Sequence, residues 1–534
     1  MKIKNYLCSL LIITTSVISL PISSKASLIP GGRLVIYSQD EPKLLNPLFN
    51  NSDSAKAIYN LIFSGLVGVD DNFDYFPNLA ISVPTISNRG VIFNDEGMVV
   101  TYKIRDLAFW HDGYPISSED VRFTWQCYTN PSIAKVHQDN LEGYKKIYKI
   151  ETPDSKTVKL FFKENYANYN ELFRFILPRH GFAPRTLLNI DPKHPFNFKP
   201  IGSGPFRFVE WKTGSRVVVD VNQKYYLPRP HLDQIMFSYG TINKAVASAV
   251  EKGKIHIVEA KNPAELKKML NSAKNIENVN IPQLSYEELG FNTESPILKN
   301  ANVRKAIAHS VDREKVAAGF PNIQSTWSDS HPNSAIFDSS LKDTYTYDLK
   351  MAQYLLDVGG WTIDEKDGLR KNKDNDILKL KLITTSSKIH DETVKYLQEV
   401  TTFLGINLEV SKINDKEWAT TVKSVDNYDI ALYVKRVAVN GADRVSFFSS
   451  KNYPPFGHNY SRFNNTKFEA IFSDPSRIND PKVQKAVTEI LKAEVPVLPL
   501  FSYVENIAVS THLNNFRPNL VYGNTWNSSE WWLD

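Results

Sequence analysis

The sequence has almost no cysteine and no run of like charge, and each absence excludes a class of protein. Only Cys8 and Cys127 occur among 534 residues. Two cysteines cannot form a disulfide framework, so stability must come from a buried core, which a chain of this length can supply. The 63 basic and 58 acidic residues are interspersed. Without an arginine-rich arm or a long lysine run, nucleic acid is not an expected partner.

Local signatures of catalysis and of metal binding are also absent. The chain contains no G-x-S-x-G, H-E-x-x-H, C-x-x-C, G-x-G-x-x-G or Walker phosphate-loop motif. Ser203 lies between two glycines, but Ile201 occupies the position of the first glycine of a nucleophile elbow, which favours a structural turn. No two of the 11 histidines have the spacing of metal ligands on one helix face. We therefore predict neither an enzyme nor a metal or cofactor site.

The first 26 residues have the pattern of an export signal. Lys2 and Lys4 precede an apolar stretch from Leu7 to Leu20, and Ser24-Lys25-Ala26 has the spacing of small residues in a cleavage site. A membrane-spanning helix needs about 20 apolar residues, and no later segment approaches that length without charge. Cys8 lies inside the apolar stretch rather than at its end, where it is poorly placed for lipid attachment. We predict cleavage after Ala26 and a soluble periplasmic protein that is not a lipoprotein.

Strand and helix patterns alternate along the rest of the chain. Strands are predicted at Arg33 to Ser38 and at Met98 to Ile104, and Ser117 with Asp120 has the spacing of a capping box that opens a helix over residues 117–128. Further helices are predicted over residues 302–318 and 348–358. No internal repeat and no low-complexity linker is apparent.

The clearest unit lies between residues 378 and 410. Leu378, Leu380 and Leu382 alternate as in a half-buried strand, a helix follows from Asp391 to Gly405, and a second alternating strand ends at Val410. A strand-helix-strand unit implies two parallel strands joined by a right-handed crossover, so the fold class is predicted to be α/β.

Four separated segments carry a distinctive pattern: Thr101 to Trp125, Gly202 to Asn222, Leu289 to Val316 and Tyr347 to Trp361. The first contains an aromatic residue before His-Asp-Gly and a capped helix opening Glu-Asp-Val. In content and order these segments resemble the bacterial extracellular solute-binding proteins of family 5, which include dipeptide-, oligopeptide- and nickel-binding receptors of ABC transporters. Pro496 to Leu500 also fits the family's pattern.

Most residues of these segments also have a plain structural interpretation. Gly113, Gly202 and Gly204 are predicted to allow turns with positive backbone φ angles. Trp110 has two interpretations, because an aromatic residue beside a tight turn either lines a ligand cleft or packs into the core.

The resemblance implies a two-lobed periplasmic binding protein of type II, in the large form with three subdomains and a hinge between the lobes. It places lobe I in residues 27–75, 200–283 and 499–534, an inserted subdomain II in residues 76–199, and lobe II (subdomain III) in residues 284–498. The ligand is expected to lie between the lobes, which close around it. The two crossings are predicted near Leu284 to Asn292 and Val495 to Phe501.

Candidate ligand-binding residues cluster in the stretch from Tyr428 to Phe448. In peptide-binding relatives an aspartate shortly after a tryptophan-containing strand binds the ligand's amino terminus. Here Lys435 and Arg436 stand where that tryptophan is expected, Tyr433 precedes them, and Asp443 comes several residues late. The two cations either bind a carboxylate or phosphate, for which the fork of Arg436 is better suited, or form a solvated strand end. Only one of the two can point into the cleft, because adjacent residues of a strand point to opposite faces.

Gln39, Asp40 and Glu41 follow the first predicted strand, at the usual cleft position of an α/β lobe. They either bind the ligand's amine or form a polar turn before Pro42.

The function expected from the resemblance is a monomeric receptor that binds a short peptide or peptide-like ligand, without a cofactor, and delivers it to the permease subunits of an ABC transporter. The alternatives are a receptor for a nickel chelate or another small anion, a secreted hydrolase with a dispersed site, and a peptide-holding chaperone.

Overall fold

A computed structural model describes residues 31–133, 141–166, 168–182, 190–271, 274–438, 441, 443–472, 480–520 and 522–534. The predicted export signal, with Cys8 and the cleavage site, lies outside the described residues. The remaining cysteine, Cys127, is buried and unpaired.

The described residues form a mixed α/β fold. The strands are β1 (Arg33–Ser38), β2 (Val67–Val69), β3 (Tyr75–Pro77), β4 (Val91–Asn94), β5 (Gly97–Lys103), β6 (Ile147–Glu151), β7 (Thr157–Phe162), β8 (Phe206–Lys212), β9 (Arg216–Val221), β10 (Gln234–Tyr239), β11 (Ile257–Glu259), β12 (Ile276–Phe291), β13 (Ile323–Ser325), β14 (Thr362–Ile363), β15 (Arg370–Lys371), β16 (Lys379–Thr384), β17 (Asn407–Lys412), β18 (Ile430–Arg436), β19 (Val497–Ser510), β20 (Leu513–Asn514) and β21 (Trp532–Leu533). The α-helices are α1 (Asp53–Ile62), α2 (Ser118–Thr129), α3 (Leu141–Lys146), α4 (Lys244–Glu251), α5 (Pro263–Leu270), α6 (Ala301–Ser310), α7 (Arg313–Ala317), α8 (Leu349–Val358), α9 (Lys388–Phe403), α10 (Asp415–Thr421), α11 (Arg444–Phe448), α12 (Thr466–Ile471) and α13 (Pro481–Glu494).

The predicted strand-helix-strand unit is confirmed as β16, α9 and β17, with the two strands parallel. The predicted start of its helix at Asp391 is wrong, because the Ser387 side chain accepts from the backbone N–H of His390 and caps the helix a turn earlier. The single helix predicted over residues 302–318 is two helices, because Asp312 leaves helical geometry and caps α7 with its own side chain. The capping box of Ser117 and Asp120 is confirmed.

One large sheet runs through both halves of the molecule. Its strand order is β17-β16-β18-β12-β19-β11-β1-β10-β9-β8, and β13 joins it beside β19. The long strands β12 and β19 pair antiparallel at its centre, from Ile276 opposite Ser510 to Gly290 opposite Val497. Their register shifts between Pro282 and Tyr286 and again between Glu287 and Glu288. The predicted crossings fall on these two strands, and the shifts mark where regular pairing is interrupted.

Three large hydrophobic clusters account for most of the buried apolar side chains. One combines residues from 34–63, 123–133, 175–281 and 507–531, a second lies within 289–501, and a third within 66–176, around the four-stranded sheet β4-β5-β7-β6. Phe123, Cys127 and Phe196, which fall in the predicted insertion, belong to the first cluster. The division into three subdomains stays a prediction.

The His-Asp-Gly segment packs directly on the glycine-rich segment. The backbone N–H of Gly202 donates to Nδ1 of His111 at 3.3 Å, and Nε2 of His111 lies 3.0 Å from the carbonyl oxygen of Gly204. Burial lowers the pKa of His111 to about 4, so the ring is neutral and bonds as one donor and one acceptor.

The predicted positive φ angles are right for Gly113 and wrong for Gly202 and Gly204. A Cβ atom at Gly202 would lie 1.9 Å from the carbonyl oxygen of Ile62, and one at Gly204 would lie 2.4 Å from that of Leu61. These two glycines are required by the close approach of the end of α1 rather than by a turn.

Candidate functional site

A cavity of about 840 Å³ lies beside the register shift in the pairing of β12 with β19. The loop after β1, the start of α1, the end of β11 and the crossing residues Gln283 to Ser285 all contribute to its lining, together with Arg436 at the end of β18. Because β10, β1 and β11 are parallel neighbours, their carboxyl ends meet at one edge of the sheet, where an α/β lobe usually binds its ligand.

Gln39 and Asp40 both line this cavity, as the sequence predicted for the loop after the first strand. Gln39 is held by local hydrogen bonds, since its Oε1 accepts from the backbone N–H of Lys261 at 2.8 Å and its amide donates to Glu265 at 3.3 Å. The carboxylate of Asp40 forms an ion pair with the Lys261 ammonium. Asp40 therefore already has a cationic partner before any ligand arrives.

Glu41 is bound elsewhere. Its Oε1 accepts from the indole N–H of Trp211 at 2.7 Å, and its Oε2 accepts from the backbone N–H of Gly214 at 2.9 Å. These bonds attach the loop after β1 to the hairpin of β8 and β9. Glu41 is not among the residues that line the cavity.

Lys435 and Arg436 lie on opposite faces of β18, as strand geometry requires. Arg436 is exposed, lines the cavity, and has no ion-pair partner within the described part of the chain. The Lys435 side chain is 1% exposed, and its Nζ lies 3.8 Å from Oε2 of Glu288 and about 4.5 Å from the ring centroids of Phe447 and Phe448. Of the two cations, only Arg436 is available to a ligand in this structure.

Tyr433 shares the buried face of β18 with Lys435, and its hydroxyl donates to Oε1 of Glu288. Asp443 precedes α11, and burial raises the pKa of its carboxyl group while the charge of Lys435 acts in the opposite direction. Burial likewise raises the pKa of Glu288, again opposed by Lys435. The structure thus gathers three of the predicted residues around Glu288, and none of them is in the cavity lining.

A second buried ion pair adjoins this group. Nε of Arg444 donates to Oδ2 of Asp329 at 3.0 Å, and the same guanidinium donates to the carbonyl oxygen of Gln484 and the hydroxyl of Thr488. Burial alone would raise the pKa of Asp329, but the charges of Arg444 and Lys435 hold it at about 2. No local sequence pattern indicates this pair, whose members lie more than 100 residues apart.

Two acidic residues of the cavity were missed by the sequence analysis. Glu259 is the last residue of β11, and Glu505 lies within β19. Burial raises the pKa of Glu259 to about 7, with the charge of Glu505 adding to the effect. Burial also raises the pKa of Glu505, as does the charge of Asp53. The position of Glu259 at the carboxyl end of a parallel strand is the signal that could have identified it.

Trp110 is 2% exposed and belongs to the third hydrophobic cluster, so its place in this structure is the packed core and not the cavity lining. Its ring lies 6.1 Å from that of His180.

The profile of bacterial extracellular solute-binding proteins, family 5 Middle, matches residues 77–459. The chain belongs to this family. Family 5 consists of solute-binding proteins, as the four sequence segments had indicated.

Individual relatives agree with this assignment. The oligopeptide-binding protein AppA of Bacillus subtilis is 25% identical over 524 residues, which cover 94% of this chain and 92% of AppA. The structure of HbpA2 from Haemophilus parasuis has a TM-score of 0.76 at 18% identity and covers 94% of this chain and 100% of its own. NikZ from Campylobacter jejuni, solved in complex with Ni(L-His), has a TM-score of 0.58 at 23% identity and covers 94% and 99%. The predicted two-lobed fold of the family is confirmed.

The described residues contain neither a membrane-spanning helix nor a cluster of metal-ligating side chains. No helix in that part of the chain is long and apolar enough to cross a membrane. Nor do three or more histidine, cysteine or acidic side chains of those residues group as metal ligands.

Proposed function

We propose that the protein is the receptor of an ABC transporter that captures a short peptide between its lobes and delivers it to the permease. The observation that carries the proposal is the charge of the cavity. An unpaired guanidinium, Arg436, and two carboxylates without ion-pair partners in the described residues, Glu259 and Glu505, line the same space. A peptide with free ends carries the complementary carboxylate and ammonium groups. The volume of about 840 Å³ is in the range of cavities that enclose small ligands.

Closure of the lobes completes the binding site in this proposal. A peptide's charged ends and backbone groups lose water when they are enclosed, and each must regain a partner or cost several kcal/mol. The cavity lining comes from separate segments that include the loop after β1, residues 283–285 of β12 and the end of β18, so a change in angle at the register shift between Pro282 and Tyr286 would alter its shape. The three-subdomain division predicted from the sequence supplies the moving parts.

The oligopeptide-binding relative AppA supports a peptide ligand. A small anionic ligand such as a metal chelate is the second candidate, favoured by the free guanidinium of Arg436 and by the bound Ni(L-His) of NikZ. No feature of the described residues favours a hydrolase or a chaperone over a receptor. We further propose that the receptor is exported by cleavage after Ala26, remains in the periplasm without a lipid anchor, and acts as a monomer without catalysis.

Replacing Arg436 with alanine should weaken the binding of trialanine, tetraalanine and pentaalanine by about 2 to 5 kcal/mol, because the ligand's carboxylate would be enclosed without the guanidinium that binds it. Calorimetric titration measures the effect. The matched control is Arg33→Ala, an exposed arginine at the opposite end of β1, which should leave the affinity unchanged.

The proposed role of Arg436 is wrong if the Arg436→Ala variant binds these peptides as tightly as the parent. Should the parent protein bind no peptide while it binds Ni(L-His), the second candidate function replaces the first.

A further inference from the structure

The charges that line the cavity are not balanced. Asp40 forms an ion pair with Lys261, and Oδ1 of Asp53 lies 3.8 Å from Nζ of Lys56, so both of these acids have cationic neighbours. Glu171 and Arg174, one acid and one base, also line the cavity. The charges that form no ion pair within the described residues are those of Glu259, Glu505 and Arg436. Two carboxylates and one guanidinium leave an excess of one negative charge.

The two carboxylates lie on adjacent strands and on the same face of the sheet. Glu259 is directly opposite Ile507 in the antiparallel pair of β11 and β19. Side chains of directly opposed residues share a face, and so do residues two apart on one strand, so Glu505 is the diagonal neighbour of Glu259. The amide of Gln283 donates to Oε2 of Glu505 at 3.4 Å, which leaves the remaining oxygen of that carboxylate for another partner.

A single ammonium group on the ligand cannot neutralise both Glu259 and Glu505. In an open cleft, water solvates both carboxylates, but closure around a ligand removes much of that water, and an enclosed carboxylate without a cation is costly. A peptide with free ends and neutral side chains offers one ammonium group for two carboxylates and one carboxylate for Arg436. One negative charge would remain without a partner.

We infer that the cleft prefers short peptides that carry one basic side chain in addition to their free ends. Such a ligand offers two cations to Glu259 and Glu505 and one carboxylate to Arg436. The inference rests on the proposed peptide-binding function and assigns the class of peptide to the same site.

A dependence on pH follows from the same geometry. Burial raises the pKa of Glu259 to about 7. The acids that act on it are Glu505 on β19, Asp40 after β1 and Asp53 on α1, and the Ser38 side chain acts in the opposite direction. Other charged or titratable groups nearby are Lys261, which is paired with Asp40, the unpaired Arg436 of the same cavity, and Tyr239, whose pKa is raised first by burial and then by the charge of Glu259.

The pH dependence of the binding affinity has opposite signs for basic and for neutral peptides. A cation bound at Glu259 lowers its pKa, so binding releases a proton and the affinity for a basic peptide rises with pH through about 7. A neutral peptide leaves one carboxylate unpaired, so it binds better when Glu259 is protonated, and its affinity rises as pH falls.

The test is calorimetric titration of the mature protein with tripeptides of alanine in which one position is lysine, glutamine or glutamate, each position in turn, near pH 6 and pH 8. We expect the best lysine peptide to bind at least about tenfold more tightly than its glutamine counterpart near pH 8, with glutamate weakest and the preference reduced near pH 6. Glu505→Gln and, separately, Glu259→Gln should remove most of the preference for lysine. The control Glu251→Gln, at an exposed position at the end of α4, should retain it.

The outcomes distinguish a failure of the proposed preference for basic peptides from a failure of peptide binding itself. Equal affinity for lysine and glutamine peptides, or a preference that both cleft variants keep, overturns the inference and leaves peptide binding intact. Failure of every tripeptide to bind overturns the proposed function and the inference with it. The pH dependence of the parent protein requires no variant, so a folding defect in one variant does not prevent a decision.

Discussion

Replacing Arg444 with alanine is expected to lower the free energy of unfolding by about 3 to 5 kcal/mol, because it leaves the carboxylate of Asp329 buried without its main cation. The two side chains are only 3% and 8% exposed, and the guanidinium also binds Gln484 and Thr488 of α13. Urea denaturation of the parent and the variant measures the loss. A variant that unfolds within about 1 kcal/mol of the parent would show that the pair contributes no more than a surface ion pair.

The same pair should make the protein sensitive to acid. The pKa of Asp329 is about 2 in the folded protein and about 3.9 in an unfolded chain, so its contribution to stability is present above about pH 4 and is lost as pH falls toward 2. In the Arg444→Ala variant this part of the acid-induced loss should be smaller.

Replacing Lys435 with alanine should also destabilise the protein by about 3 to 5 kcal/mol, while ligand binding through Arg436 persists. Lys435 is the cation nearest to Glu288, and its charge acts on Asp329 and Asp443 as well. Its removal leaves these buried acids with less compensation. Urea denaturation and peptide titration of the same variant separate the two effects.

Two further variants test whether the loss of stability comes from leaving a buried charge without its partner. Combining Lys435→Met with Glu288→Gln removes both charges of the pair and should recover the part of the stability that is lost through Glu288, while Asp329 and Asp443 still lack the charge of Lys435. Lys379→Ala breaks an exposed ion pair with Glu409 on the neighbouring strands β16 and β17 and should cost less than about 1 kcal/mol. If Lys435→Ala abolishes peptide binding in a protein of normal stability, Lys435 is a ligand residue and its assignment to the buried network is wrong.

The sequence predicted the local elements better than the site. Alternation of apolar residues identified β16, and capping residues identified the start of α2, because these signals depend on neighbours within a few positions. The break at Asp312 was missed because an acceptor side chain inside an otherwise helical pattern can either face solvent or cap a new helix. Only the tertiary structure shows which occurs.

The composition of the cavity could not be read from local patterns. Strand geometry predicts that the side chains of Lys435 and Arg436 point to opposite faces of the sheet, but the pairing of β18 with β12 decides which of the two side chains is buried. Glu259 and Glu505 become neighbours only through the pairing of β11 with β19, across more than 200 residues of sequence. Gly202 was assigned to a turn because the approach of Ile62 is equally invisible in the sequence.

The central claim is that a peptide occupies the cavity beside Arg436, Glu259 and Glu505. Native mass spectrometry of the mature protein, mixed with an equimolar pool of dipeptides to pentapeptides, tests it most directly. We expect a single complex of one peptide per protein chain, enriched in peptides with one lysine or arginine, and greatly reduced in the Arg436→Ala variant. A parent protein that retains no peptide from the pool, or a variant that retains the same peptides in the same amounts, would contradict the account.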